Sequence, residues 1–231
     1  MEINIEQDNL KYYNEYGGFS SDGKEYLIKV NKENRLPTVW SNILANEKFG
    51  TLVTESGGGY TWSKNSRLNR VTAWSNNQVI DVPSEIIYMQ DKSSLKAWSL
   101  TLNPMPDDND YSVTYGLGYA KYKHISSGIE QDLSVFVPKE DSNKISILSL
   151  KNLEAKKKSF RLIYYIKPVL GEDETFSNGY INLKYDENTN MLYAKNMVNS
   201  NFNEMMYISS SEKIKSYTGN KKSFVGERKF I

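Results

Sequence analysis

The run SGGGYTWSKNSRLNRVTAWSN, Ser56 to Asn76, holds the densest chemistry in the chain. Three consecutive glycines precede Tyr60, Trp62, Arg67, Arg70 and Trp74. A phosphate-binding glycine loop needs a strand before it, a helix after it, and a Lys-Ser/Thr pair or a fixed glycine spacing. The residues after these glycines, YTWSKN, alternate like a strand. A tight turn requiring positive φ or close backbone approach accounts better for the glycines, and lets the segment after them project. The aromatics offer a second chemistry. Trp and Tyr present an apolar body with a polar handle, so their rings can stack on the C–H faces of sugars while arginines hydrogen-bond the hydroxyls. Tyr60, Trp62, Arg67, Arg70 and Trp74 are therefore the candidate substrate-binding residues. Trp98 has the same capacity, although a tryptophan in a β-sandwich is more often core.

Catalytic groups are scarce. His124 is the single histidine, so a Ser-His-Asp or Cys-His arrangement would have to use it. It stands near Ser126 and Ser127 at the end of a strand-like run and reads as a surface residue. No cysteine is present, which excludes disulfides and thiolate metal sites and suits a reducing compartment. The acidic run PDDND, Pro106 to Asp110, lacks the spacing of a calcium loop and reads as a solvated turn. Asp81, Glu85, Glu130 and Asp132 could supply a carboxylate pair for glycosidic chemistry, but none stands out from ordinary surface acids. The sequence thus predicts no catalytic residue, no metal and no cofactor.

Composition narrows the partners. A net charge of +1 over 231 residues provides no basic field for a nucleic-acid backbone. The basic stretch KNLEAKKKSF lies between two strand-like runs and reads as a solvated hairpin loop. The first residues, MEINIEQDNLKYYNEYGG, lack the apolar segment of a signal peptide. No apolar run approaches the ~18 residues needed to span a bilayer. The expectation is a soluble, cytoplasmic chain that does not insert into a membrane.

The elements that would position these residues are strands. Short runs of period-two alternation are separated by Gly, Asn, Asp, Ser and Pro. FGTLVTES and GYTWSKN flank the glycines, and EIIYMQD and KAWSLTL flank a hairpin turn. YSVTYGLGYAKYKHIS reads as one long strand with Val113, Tyr115, Leu117 and Tyr119 on its apolar face. GIEQDLSVFVP, KISILSLKNL and FRLIYYIKPVLG read as a three-stranded meander whose middle strand is buried through Ile145, Ile147 and Leu148 to Leu150. WSNILAN fits either a helical turn or a strand. GEDETFSNG reads as an acidic surface loop, the runs on either side of DENTN as a hairpin, and NEMMYISSS and KSYTGNKKSFVG as closing strands. About a dozen strands with almost no helical periodicity predict an all-β antiparallel sandwich, a single domain over residues 1–231.

Three segments then carry a resemblance: YNEYGGFSSDGKEYLIKV, PTVWSNILANEKFGTLVTESGGGYTWSKNSRLNRVTAWSN and DLSVFVPKEDSNKISILSLKN. Together they resemble the N-terminal domain of glycoside hydrolase family 94, formerly glycosyltransferase family 36. Within it they are nearest to cyclic β-1,2-glucan synthetases and 1,2-β-oligoglucan phosphorylases. The resemblance implies a large supersandwich similar to galactose mutarotase-like domains, followed in the family by a helical linker and a catalytic (α/α)6 barrel. It also implies a β-glucan oligosaccharide as ligand, inorganic phosphate as co-substrate of the parent enzyme, and a barrel domain or a second copy as packing partner. No barrel pattern follows in this sequence, so the chain is expected to be truncated before the linker and inactive alone. The parent enzyme could be anchored in a membrane outside this segment. The alternatives are a stand-alone carbohydrate-binding module and an oligomerisation scaffold.

Overall fold

A computed structural model describes residues 10–172, 174, 175, 177, 179–199 and 203–225. The first nine residues, parts of the acidic 171–179 loop, residues 200–202, and residues 226–231, of which Gly226 ends the expected closing strand, lie outside the described residues. The chain forms two compact units, residues 1–168 and 169–231.

The first unit is built from β1 (Gly17–Phe19), β2 (Glu25–Val30), β3 (Ser41–Ala45), β4 (Phe49–Thr54), β5 (Gly59–Ser63), β6 (Arg70–Thr72) and β7 (Glu85–Asp91). It continues with β8 (Ala97–Ser99), β9 (Tyr111–Gly116), β10 (Tyr119–Ser126), β11 (Ile129–Phe136), β12 (Ile145–Asn152) and β13 (Phe160–Ile166). One sheet runs β1-β2-β9-β10-β11-β12, a second runs β13-β7-β8, and β6, β5, β4 and β3 are successive neighbours in a third. Every pairing between these strands is antiparallel. Alternation does the sorting: β11 buries Ile129, Gln131, Leu133 and Val135 and turns the residues between them outward. Those side chains join Ile28, Leu44, Val53, Met89, Trp98, Tyr111, Val113 and Tyr122 in one core drawn from all three sheets. Each large apolar side chain buried this way contributes roughly 1.5–3 kcal/mol. Trp98 lies at the centre, fully buried, with its indole N–H donating to Gln131 Oε1 at 2.9 Å. It is core and cannot meet a ligand.

Of the two alternatives for WSNILAN, the strand forms, as β3. Several other expectations are corrected. The run from Tyr111 to Ser126 is two strands, because Leu117 and Gly118 make a two-residue turn with φ of 86° at the glycine. The turn ends the common face, and Leu117 is 90% exposed at the tip. The expected meander is broken after β12: β11 pairs with β12, but β13 pairs with β7, matching Phe160 to Asp91 and Ile166 to Glu85. The 153–159 connection makes this crossing, pinned at one end by Leu153 N–H on Gly128 O (2.9 Å) and at the other by Lys92 N–H on Ser159 O (2.9 Å). β12 is left as an edge strand, and Ile147 and Leu150 are exposed rather than buried.

The second unit contains β14 (Pro168–Gly171) at its start, then the antiparallel meander β15 (Ile181–Asp186), β16 (Met191–Asn196) and β17 (Met206–Ser209). Asn196 is buried and donates from Nδ2 to Leu170 O (3.3 Å) and Ser177 Oγ (3.2 Å). Asn190 ties the β15–β16 turn to the segment after β17 through Ser210 O and Glu212 O. The final run is not a strand. Residues 215–220 are irregular and a short helix, α1 (Lys221–Val225), follows. Asn220 caps it, its Oδ1 accepting from Lys222 N (3.0 Å) and Ser223 N (3.3 Å). Among the described residues no helix is long and apolar enough to cross a membrane.

Candidate functional site

The glycines form the corner between β4 and β5. At Gly59 φ is 106°, and a Cβ there would stand 2.0 Å from the Leu52 carbonyl oxygen. Only glycine fits such a corner without displacing backbone. Asp81 locks it from below: its Oδ2 accepts from Thr54 Oγ1 (2.5 Å) and from Ser56 Oγ, while Gly58 N–H donates to Thr54 Oγ1 (2.6 Å). The glycines are a packed turn and no phosphate cradle. The segment after them does not project. Tyr60 to Ser63 lie within the sheet as β5, opposite Leu52 to Phe49, and the chain leaves it only from Lys64 to Leu68.

β5 therefore has two faces with different chemistry. On one, Tyr60 and Trp62 lie side by side with ring centroids 5.2 Å apart. Trp62 pairs with Arg70 across to β6, and its ring covers Gly50, where a Cβ would come within 2.4 Å of it. Trp74 stacks on Tyr60 at 4.7 Å with planes 15° apart. The Arg70 guanidinium carbon is 5.7 Å from both the Tyr60 and the Trp74 ring centres. Four of the five expected residues thus meet in one cluster. Arg67 stands apart, exposed in a turn held by Asn65 Oδ1, which accepts from Arg67 N and Leu68 N at 2.9 Å. Tyr60 is only 6% exposed and its hydroxyl donates to Ser66 O, so its ring is covered by its neighbours. Trp62 and Trp74 keep partly open surfaces.

The opposite face carries a buried carboxylate that the sequence did not distinguish from surface acids. Glu85 Oε1 accepts from Thr61 Oγ1 (2.6 Å) and Thr72 Oγ1 (2.7 Å). Its Oε2 accepts from Lys144 Nζ (2.9 Å) and Tyr164 OH (3.3 Å). Burial works against ionisation here, but the Lys144 charge and the hydroxyl donors outweigh it and hold the carboxyl below its ordinary range. Beside it lies a cavity of about 50 Å³ bordered by Gly57, Glu85, Lys144, Tyr122 and Tyr164. That is space for about three waters and too little for a sugar ring. With every lone-pair direction in use, Glu85 is an anchor rather than a general acid. Lys144 and Tyr164 carry no signal in the sequence because their partner is 59 and 79 residues away.

His124 is also corrected. It is fully buried within β10, not at the surface. Its Nδ1 is 2.9 Å from the Asp110 carbonyl oxygen, and its Nε2 is 2.9 Å from Asp107 Oδ1, off the line of an ideal hydrogen bond. PDDND is accordingly only in part a solvated turn: Asp108 and Asn109 are exposed, but Asp107 is buried against the ring. Burial raises the Asp107 carboxyl, but the neighbouring His124 ring and Ser126 hydroxyl and the hydrogen bond from the Asn109 backbone outweigh it and leave it well below the usual carboxylate range. Both imidazole nitrogens face oxygens, so neither can take a proton from a serine, and catalysis of the triad type has no base here. Among the described residues no group of three or more His, Asp or Glu side chains could hold a metal.

The fold and the site define an antiparallel β-sandwich that carries an aromatic–guanidinium face. Its family is set by comparison. The chain belongs to the glycosyl hydrolase 94 supersandwich domain, whose profile matches residues 24–230. It is 26% identical over 230 residues to cyclic beta-(1,2)-glucan synthase NdvB of Rhizobium meliloti (strain 1021), with 97% of this chain and 8% of that protein covered. It is 26% identical over 221 residues to N,N'-diacetylchitobiose phosphorylase of Vibrio proteolyticus, covering 91% of this chain and 27% of the relative. A 3-O-beta-D-glucopyranosyl-beta-D-glucuronide phosphorylase of Paenibacillus borealis is 26% identical over 148 residues, covering 64% of this chain and 18% of the relative. The chain spans well under a third of the length of these relatives.

Proposed function

We propose that the chain is the non-catalytic sandwich of a β-glucan phosphorylase or cyclic β-1,2-glucan synthase, packing on an (α/α)6 catalytic barrel and helping to shape its carbohydrate cleft. The observation that carries this reading is the family match across residues 24–230 in a chain that spans so small a share of its enzymatic relatives. Two of the buried acids, Glu85 and Asp107, are in keeping with it: neighbours tie them down and hold them below the ordinary carboxylate range, so neither is a proton donor. The Trp62–Trp74–Arg70 face is the contact to carbohydrate. Phosphate acts as co-substrate in the parent enzyme only, which works in the cytoplasm or at its membrane. The 231-residue chain alone should release no sugar 1-phosphate from β-1,2-gluco-oligosaccharides and inorganic phosphate. A catalytic barrel supplied as a separate chain should bind it and become active. Turnover by the isolated chain would overturn the proposal.

The aromatic face also favours a second reading, a stand-alone carbohydrate-binding module. Saturable quenching of tryptophan fluorescence by the same oligosaccharides, with no affinity for any barrel, would decide for it.

A further inference from the structure

Among the described residues, the Arg70 side chain makes no hydrogen bond and no ion pair. Its contacts are the rings of Tyr60 and Trp74, each 5.7 Å from the guanidinium carbon, and its Nε is buried without an acceptor. Two buried acids elsewhere in this unit face cationic or imidazole partners: Glu85 meets Lys144, and Asp107 meets His124 and Lys96. Ring faces offset part of a cation's charge but place no oxygen in the guanidinium plane. A partly desolvated cation with a buried idle donor is therefore an incomplete site, lacking an anionic oxygen acceptor.

The rest of the cluster restricts what brings that oxygen. Tyr60 is covered and is stacked on Trp74, while Trp74 itself stays partly open beside the idle guanidinium. A pyranose whose exocyclic carbon is a carboxylate meets both demands. Its C–H face lies on the indole while the carboxylate at its rim reaches toward Arg70. A neutral hexose supplies the stacking and weaker acceptors but leaves the charge unanswered. A carboxylate on a protein side chain supplies the charge and leaves the indole bare.

We infer that the Trp74–Arg70 face takes an acidic saccharide, one carrying a hexuronate unit. This rests on the reading that the face meets carbohydrate, and it goes further by naming the class of sugar. The test is titration of the 231-residue chain with methyl β-D-glucuronide, methyl β-D-glucoside and acetate at one ionic strength. The Arg Nε–H and Trp indole N–H signals are followed in ¹H–¹⁵N spectra. The glucuronide should saturate and bind about tenfold more tightly than the glucoside, the size of one charge-assisted hydrogen bond. It should move the Arg70 and Trp74 signals while exposed Arg67 stays still. Arg70→Gln should erase the preference for glucuronide over glucoside. Arg70→Lys, which keeps the charge without the planar fork, should retain part of it. An unchanged indole signal from the buried core Trp98 in the free variants shows that they fold. Equal affinity for glucuronide and glucoside overturns the acidic unit but leaves a carbohydrate face. Acetate binding as tightly as the glucuronide overturns the saccharide and points to a protein carboxylate. No saturation by either glycoside overturns this inference together with the carbohydrate reading of the face.

Discussion

The imidazole of His124 lies flat on the phenol of Tyr111, with ring centroids 3.8 Å apart and planes 2° from parallel. The stack joins β9 to β10 inside the core, and Asp107 closes it from the side at 2.9 Å from Nε2. Removing one partner of such a buried pair strands the other. Asp107→Asn should cost about 3 kcal/mol at neutral pH, read as a lower urea midpoint with unchanged slope. The sign of the pH effect is set by the depressed Asp107 carboxyl. Its contribution is fully present above the unfolded value of about 4 and is lost as pH falls toward the folded value. The gap between wild type and Asp107→Asn should therefore narrow below pH 4 or so.

Glu55 behaves in the opposite sense. It is 6% exposed, and burial pushes its carboxyl up to about 7 despite the Trp40 N–H that its Oε2 accepts at 2.9 Å. With the folded value above the unfolded one, the folded state binds the extra proton. Stability is then greatest below pH 4.5 or so and declines as pH rises to about 7, by roughly 3 kcal/mol at most. Glu55→Gln can keep the bond from Trp40 through its amide oxygen and never ionises. It should flatten the decline and raise the melting temperature at pH 8. A wild-type profile flat between pH 5 and 8 would count against the assignment.

The same residues show how far alternation reaches. Hairpins with local turns are legible in the sequence: β4–β5 across the glycines, β7–β8 and β15–β16 lie where alternation and turn residues put them. Four residues of the aromatic cluster fall within fifteen positions, three on the paired strands β5 and β6 and Trp74 just past the end of β6, so their meeting is visible in the spacing. What alternation cannot encode is which strand a distant strand chooses. β12 and β13 have the pattern of neighbours, yet the crossing at 153–159 sends β13 to β7, 69 residues back at the Phe160–Asp91 pair. His124 and Glu85 read as surface groups for a related reason. A polar residue in an alternating run looks exposed unless its partner is known, and Asp107, Thr61, Lys144 and Tyr164 are supplied by other strands and loops.

The glycine corner separates two costs of losing a glycine. Gly23 has φ of 74° with no atom within 4 Å of a built Cβ, whereas Gly59 has φ of 106° and the Leu52 carbonyl oxygen at 2.0 Å. Gly23→Ala should cost only the backbone penalty, about 1–2 kcal/mol. Gly59→Ala should exceed it by several kcal/mol, because backbone on both sides of the β4–β5 pair must shift. Thermal unfolding of the two variants side by side measures the difference. Equal melting temperatures would mean that the corner tolerates a side chain and is not the constraint on β5.

The Glu85–Lys144 pair is the last place where charge and packing can be separated. Both side chains are largely buried, 10% and 18% exposed, and the carboxylate has three further hydroxyl donors while the ammonium has no other ion-pair partner among the described residues. The two single substitutions should therefore be unequal. Lys144→Met leaves a carboxylate still held by Thr61, Thr72 and Tyr164 and should cost about 1–2 kcal/mol. Glu85→Gln strands the ammonium and turns an amide N–H₂ toward donors, for a loss of about 3–5 kcal/mol. The double variant removes the stranded charge and should be more stable than Glu85→Gln alone, with a coupling of about 1–3 kcal/mol in the cycle. Urea denaturation of the four proteins gives that coupling directly. Simple additivity would show that Glu85 is held by the hydroxyls of β5, β6 and β13 and that Lys144 is an onlooker.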